Sequence, residues 1–234
     1  MEKREQLYEG KAKKVFRTDD PELLIVSYKD DATAFNGQKK GQIADKGVVN
    51  NIMSNIIFGI LADAGVPTHL VKQLSDRETL VKKVTILPLE VIIRNVAAGS
   101  FSKRYGVDEG SLLAKTVLEF SYKNDELGDP LINDDHILAL GLATERQLAQ
   151  VRAYAFKVNE VMKEFFLTRG LKLIDFKIEF GLCDGEIILA DEISPDTCRL
   201  WDVKTNEKMD KDRFRRDLGN VEETYRAVLD RVRA

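Results

Sequence analysis

The chain has 234 residues, 44% of them hydrophobic and 32% charged, with a formal net charge of −3. That composition belongs to a globular protein forming one large domain or two small lobes around a cleft. The slight acidic balance excludes an overall positive field for nucleic acid or an anionic membrane surface, and no apolar run approaches the ~20 residues that span a bilayer.

The start, Met-Glu-Lys-Arg-Glu-Gln, is polar and has no apolar signal core behind it. The cysteines Cys183 and Cys198 form no CxxC pair. Both features predict a cytoplasmic protein with reduced thiols. The first third reads as an antiparallel meander of short strands over 7–8, 12–17 and 23–28, punctuated by Glu9-Gly10-Lys11 and Thr18-Asp-Asp-Pro21. A helix follows over about 46–64, where Val49, Ile52, Met53, Ile56, Ile57, Ile60 and Leu61 keep the 3.6-residue period; Gly65 caps it and Pro67 stops it.

Further strands are expected over 68–72, 79–87 and 89–96, and Ser100 caps a short helix over 101–105. The Asp-, Asn-, Gly- and Pro-rich stretch 124–135 reads as a long functional loop. Thr144-Glu-Arg-Gln147 is a capping box opening the longest helix, with Leu148, Val151, Ala155, Val158, Met162 and Phe165 on its buried stripe. A strand pair over 171–180 and 186–193 precedes a helical tail from about Lys211. Strands come first and mixed elements later, so the class is α+β.

His69 and His136 are the only histidines, and neither has a metal-ligand or triad context, so chemistry falls to Lys, Arg, Asp and Glu. On a strand, Asp175, Lys177 and Glu179 share one face, while Phe176, Ile178 and Phe180 share the other. Alone, the charged face is as readily a solvated one as a site. A three-residue hairpin loop, Cys183-Asp184-Gly185, would set Asp191 opposite Lys177 and diagonal to Glu179; a two-residue Asp184-Gly185 turn would present Glu192 instead. The three-residue loop is preferred here, giving Glu179 and Asp191 as ligands for Mg²⁺, which takes one or two carboxylates plus substrate phosphates.

Gly10-Lys-Ala-Lys-Lys14 is a tight turn whose backbone N–H groups, with Lys11 and Lys13, could meet phosphates, although an exposed hairpin explains the motif equally well in isolation. Glu90-Val-Ile-Ile-Arg-Asn-Val-Ala-Ala-Gly-Ser100 runs from a strand into a helix start, where Arg94 and Ser100 would form an anion site. Arg199, in the loop after Pro195 and before Trp201, could clamp a second anion. The polar loop at 30–37 is uninformative alone.

In order, the stretches 8–16, 31–37, 90–100, 123–130, 175–181, 191–196 with Arg199-Leu-Trp-Asp202, and 211–215 resemble the phosphoribosylaminoimidazole-succinocarboxamide synthase (SAICAR synthetase) family. The resemblance implies ATP-dependent joining of L-aspartate to the carboxylate of carboxyaminoimidazole ribonucleotide (CAIR), giving the succinocarboxamide, ADP and phosphate. It implies two lobes, here 1–84 (antiparallel sheet with one helix) and 85–234 (α/β), with ATP between them. Carried over, Gly10, Lys11, Ala12 and Lys13 would cover the ATP phosphates, and Val81 and Lys82 would line the adenine side. Glu179 and Asp191 would hold Mg²⁺, and Arg94, Ser100 and Arg199 the ribonucleotide phosphate. Asp175 would contact the ribose and Lys177 the reacting groups, these two being the catalytic pair. Asp129 and Arg215 would meet L-aspartate. The family also implies a homodimer with small-molecule substrates only. An ATP-dependent small-molecule kinase would share the cleft and the acidic strand, and is the alternative.

Overall fold

The computed structural model describes residues 1–34 and 37–234, so Phe35 and Asn36 of the 31–37 stretch lie outside the described residues. Strands β1 (Lys3–Glu9), β2 (Lys13–Thr18) and β3 (Leu23–Tyr28) form the expected meander, followed by the ribbon β4 (Asp31–Ala34) and β5 (Lys39–Gln42). Helix α1 (Lys46–Asp63) leads to β6 (Leu70–Gln73) and β7 (Glu78–Lys82), which complete an antiparallel sheet ordered β1-β2-β3-β7-β6.

The second sheet begins with β8 (Thr85–Val96), one continuous strand that carries Pro88 within it. The expected break near Pro88 falls instead at Lys83-Val84, before β8. Pro88 is tolerated because its carbonyl still accepts from Lys123 N at 3.0 Å, and only its missing N–H is lost to the ladder. After α2 (Gly99–Tyr105) comes β9 (Leu112–Tyr122), a strand absent from the sequence reading. The 124–135 loop holds a 3-10 turn capped by Asn124, the short β10 (Leu131–Ile132) and the start of α3 (Asp134–Ala139). Helix α4 (Glu145–Thr168) opens on the Thr144–Gln147 capping box, with both reciprocal bonds formed. Then follow β11 (Leu171–Cys183), β12 (Glu186–Ala190) and β13 (Cys198–Asp202), and the sheet order is β10-β9-β8-β11-β12, with β13 also pairing β11. The expected tail helix is two: α5 (Asp212–Arg215) and α6 (Val221–Arg233). Asp217, Gly219 and Asn220 take φ of 55°, 72° and 49°, a left-handed run that no α-helix continues through.

Period two on β8 and β11 and period 3.6 on α4 meet in one core. Val91, Ile93, Phe176, Ile178 and Phe180 bury against Leu148, Val151, Ala155, Val158, Met162 and Phe166. Each large apolar side chain so buried is worth about 1.5–3 kcal/mol. Helix α1 joins the same cluster through Val49, Ile52, Met53, Ile57 and Leu61, although its chain position lies among the strands of the first sheet. The first sheet has a small cluster of its own, Val26, Tyr28 and Val81. Residues 67–69 stitch the sheets together: Leu189 N donates to Pro67 O, His69 N to Leu189 O and Lys82 N to His69 O, at 2.7–2.9 Å.

Candidate active site

Because one face of the second sheet is core, period two sends every alternate residue of β8 and β11 to the other face, which looks towards the first sheet. Register then sets the neighbours. Asp175 lies opposite Arg94 on β8 and Arg199 on β13, and Glu179 lies opposite Glu90. Charges that would be costly to bury alone are therefore paired across the strands. Arg94, 3% exposed, donates to Asp175 at 2.8 Å, to Glu119 at 2.7 Å and to Ser100 Oγ at 3.0 Å. Arg199 donates to Asp175 at 2.9 Å and to Asp212 at 2.9 Å, and Arg215 also holds Asp212, at 2.7 Å. Lys177 bridges Glu90 at 2.8 Å and Glu179 at 3.0 Å, and Lys123 meets the same Glu179 Oε1 at 2.9 Å.

The hairpin corrects the preferred register. Cys183 pairs with Glu186 and Glu179 with Ala190, so the loop is the two-residue Asp184-Gly185 turn, with φ of 52° and 81°. Asp-Gly accepts positive φ at both central positions, the type I′ geometry whose twist suits the flanking strands. The three-residue loop is therefore wrong, and Asp191 is not the residue the ladder would set opposite Lys177. Yet Asp191 still reaches the cleft, because β12 ends at Ala190 and Asp191 itself takes φ 63°, which breaks the alternation. Glu192 lines the cleft too, and Lys13 from the far sheet holds both acids, Glu192 at 2.9 Å.

Helix α2 begins at Gly99 with Ala98 as its cap residue, so Ser100 sits inside the first turn and caps nothing with its side chain. Its hydroxyl instead accepts from Arg94. Gly99 has φ 53°, and a Cβ there would collide with the Arg199 guanidinium, so backbone and clamp pack directly together.

Two adjoining cavities open on this face, the larger one between the sheets. The larger, about 590 Å³, is lined by Gly10, Lys11, Ala12, Lys13, Val81, Lys82, Asp129, Glu179, Asp191 and Arg215, among others. The smaller, about 180 Å³, is lined by Arg94, Ser100, Asp175 and Arg199. Lys177, Asp196, Thr197 and Arg215 line both. Every residue assigned above to ATP, Mg²⁺, the ribonucleotide or L-aspartate thus lines one of these two cavities. Sequence reasoning missed Lys123, Asp196 and Lys211; Glu192 entered it as the alternative to Asp191. Lys211 is placed four residues before Arg215 on one helical turn, a spacing that could have flagged it.

Burial works against the charge of Lys13, but Asp191 and Glu192 outweigh it and raise its pKa well above the ordinary lysine value. Lys177 and Lys123 are likewise opposed by burial and raised by Glu179. Burial opposes the Asp191 charge as well, and Lys13 and Lys177 overcome it, lowering its carboxyl to about 2. Burial brings His69 down to about 4, a neutral imidazole packed edge-on against Phe58. Among the described residues no three acidic, His or Cys side chains form a ready-made metal cage. Two carboxylates that can exchange lysine partners for a metal-bound polyphosphate do fit Mg²⁺, which typically keeps substrate oxygens and water as its other ligands.

Residues 6–232 match the family model for SAICAR synthetase. The chain is 63% identical over 232 residues to the phosphoribosylaminoimidazole-succinocarboxamide synthase of Clostridium acetobutylicum and 64% identical to that of Lachnoclostridium phytofermentans, covering 99% of both chains in each case. Its fold superimposes on the synthase of Ehrlichia chaffeensis with a TM-score of 0.96, at 48% identity over 98% of this chain and 99% of that one. It also superimposes on a SAICAR synthetase solved in complex with ADP, with a TM-score of 0.94, at 45% identity over 97% of each. The chain belongs to the SAICAR synthetase family.

Proposed function

We propose that the larger cavity holds ATP and the smaller one CAIR, so that the cleft joins L-aspartate to the CAIR carboxylate and releases SAICAR, ADP and phosphate in purine biosynthesis. The observation that carries this reading is the shared wall: Lys177 lines both cavities, between an arginine-lined pocket and a lysine-lined one. A phosphoryl group passing from one substrate to the other must cross that wall. The ADP complex of a relative at 45% identity supports the nucleotide's place in the reaction.

The division of labour follows from the contacts. The Gly10–Lys13 turn covers the polyphosphate from the first sheet, and Val81 and Lys82 flank the base. Glu179 and Asp191 hold Mg²⁺, which when bound supplies charge neutralisation on the polyphosphate. Arg94, Ser100 and Arg199 take the ribonucleotide phosphate, with bidentate guanidinium geometry suited to it. Asp175, fixed between Arg94 and Arg199, faces the ribose. Lys177 neutralises the phosphoryl group in flight. A carboxylate does not condense with an amine unaided. Phosphorylation of the CAIR carboxylate gives an acyl phosphate, which the amine of L-aspartate, held by Asp129 and Arg215, then attacks. Positioning three substrates supplies much of the remaining acceleration, and no protein nucleophile is needed.

The lobe division near residue 84, the homodimer and the cytoplasmic location belong to the same proposal. Among the described residues no helix is long and apolar enough to cross a membrane. The test is incubation with ATP, Mg²⁺, CAIR and L-aspartate, with the amide product as readout. ADP released at an undiminished rate without L-aspartate would point to a kinase and overturn the reading.

A further inference from the structure

We propose that Lys211 is the general base that takes a proton from the amino group of the incoming L-aspartate, with Asp196 and Lys46 as its positioning residues. The proposal rests on the reading that the amine attacks an acyl phosphate where the two cavities meet.

The geometry begins with an isolated acid. Asp196 lines both cavities, and its side chain is only 6% exposed. Lys46 Nζ at 2.8 Å and Lys211 Nζ at 3.3 Å share its Oδ2, while the Tyr225 hydroxyl donates to Oδ1 at 2.7 Å. Two ammonium groups thus compete for one carboxylate oxygen. Lys46 is the closer, its side chain is 1% exposed, and it lines neither cavity. It is also the first residue of α1, where the helix dipole disfavours a cation, so Asp196 is what makes its burial tolerable. Lys211 is the looser partner, and it faces the larger cavity. Of the pair, it is the one that can release its proton to the cleft and take another from a substrate.

The groups facing Lys211 come from every element around it: Asp196 from the 191–197 segment, Lys46 from α1, Arg215 from α5, and Tyr225 of α6 through Asp196. Burial lowers the Lys211 pKa below the ordinary lysine value, Asp196 opposes the fall, and Lys46 and Arg215 add to it. The other cleft lysines with a resolved shift, Lys13, Lys123 and Lys177, move upward. A guanidinium does not act as a base, and a carboxylate lowered to about 2, as in Asp191, is a poor acceptor for an ammonium proton.

L-Aspartate enters as an ammonium ion and passes one proton to neutral Lys211 Nζ, which frees the nitrogen lone pair. The C–N bond forms at the acyl carbon. As the C–O bond to phosphate breaks, the phosphate leaves with the electron pair and receives the second N–H proton. Lys211 returns its proton to water when product departs.

Lys211→Arg keeps the charge beside Asp196 but removes the base. For this variant kcat/KM for L-aspartate should fall about 100-fold or more near pH 7.5, the usual scale of general-base catalysis. ADP affinity should stay within about threefold, because Lys211 is not among the residues proposed to hold the nucleotide and arginine keeps a cation beside Asp196. The deficit should shrink as pH rises, since free amine in solution replaces the missing base, at roughly tenfold per pH unit. Lys211→Met should lose activity with the same pH signature. Turnover near wild type in Lys211→Arg, or a deficit that does not change with pH, would overturn the proposal. A wild-type enzyme that forms no amide from ATP, CAIR and L-aspartate would instead remove the underlying function, and the proposal with it.

Discussion

Removing Arg199 tests the ribonucleotide clamp with little collateral damage to the fold. Its side chain is 17% exposed, and it serves two buried carboxylates, Asp175 and Asp212. Each has a second cation. Asp175 keeps Arg94 at 2.8 Å, and Asp212 keeps Arg215 at 2.7 Å. Arg199→Ala therefore strands no buried charge, the outcome that makes breaking a buried pair cost about 3–5 kcal/mol. Loss of one charge-assisted contact to the CAIR phosphate should cost about 1.5–3 kcal/mol of binding. At about 1.4 kcal/mol per decade, that raises the KM for CAIR roughly 10- to 100-fold. Arg199 does not line the larger cavity, so the KM for ATP should hold steady. With the reacting groups left in place, kcat should change by less than about threefold. Initial rates of amide formation, measured against CAIR and ATP separately, give all three quantities, and a thermal melt should drop by only about 2–4 °C. An unchanged KM for CAIR, or an equal rise in both KM values, would refute the assignment of the smaller cavity to the ribonucleotide.

Two further outcomes follow from the same contacts. Asp191→Asn leaves Lys13 paired with Glu192 at 2.9 Å but removes one of the two acids proposed for the metal; the Mg²⁺ concentration that half-saturates activity should rise about tenfold or more, and an unshifted Mg²⁺ titration would remove Asp191 from the site. Asp210, fully buried, is pushed up to about 7 by burial and by the neighbouring charge of Asp212. Its folded pKa lies above the unfolded one, so the folded chain holds the extra proton between about pH 4 and 7, and stability falls as pH rises through that window. The gap from 3.8 to about 7 amounts to on the order of 4 kcal/mol. Asp212 is held below the ordinary carboxylate range by Arg199 and Arg215 against the effect of burial, so its own contribution is lost only at lower pH. Asp210→Asn should flatten the dependence of the urea midpoint on pH between about 4 and 7; an unaltered slope would show that the group does not titrate there.

What was legible in the sequence was side-chain type combined with local period. Alternation along 175–180 separated core from cleft correctly because both faces of β11 are set by residues two apart. The capping box and the stripe of α4 were likewise local, except at its end, where Phe166 rather than the expected Phe165 is fully buried. The second half of β9 does carry the period-two signal, Leu118, Phe120 and Tyr122 alternating with Glu119 and Ser121, whereas its first half, from Leu112 to Lys115, is largely exposed and shows no such alternation. The hairpin register failed for a different reason. Both loop lengths are compatible with Cys183-Asp184-Gly185, and the position of Asp191 was argued as though β12 continued through it. β12 stops at Ala190, next to Leu189, which the 67–69 segment pins from more than a hundred residues away, and Asp191 turns left-handed there; neither is written in the local sequence. The cluster of Lys46, Asp196, Lys211 and Tyr225 was invisible for the same reason, since four segments distant in the chain supply it.

Net charge said little about ligands because the cleft has its own balance, and that balance differs between its two halves. Among the described residues, the larger cavity is lined by seven lysine and arginine side chains against eight aspartates and glutamates. The smaller has four cationic side chains against two acids. A phosphate monoester entering the smaller cavity meets an excess of cations on its wall, with Glu119 and Asp212 set behind Arg94, Arg199 and Arg215. A polyphosphate entering the larger one meets a slight excess of negative charge, and if Lys211 is neutral the excess grows by one. Lysines alone then cannot neutralise ATP there without deserting their acids, as Lys13 would desert Asp191 and Glu192. Asp191 and Glu192, once freed by Lys13, would be available to a divalent cation brought by the nucleotide, and the lysines to its phosphates. The charge count, rather than any preformed cage, is the physical ground for proposing Mg²⁺ in the larger cavity.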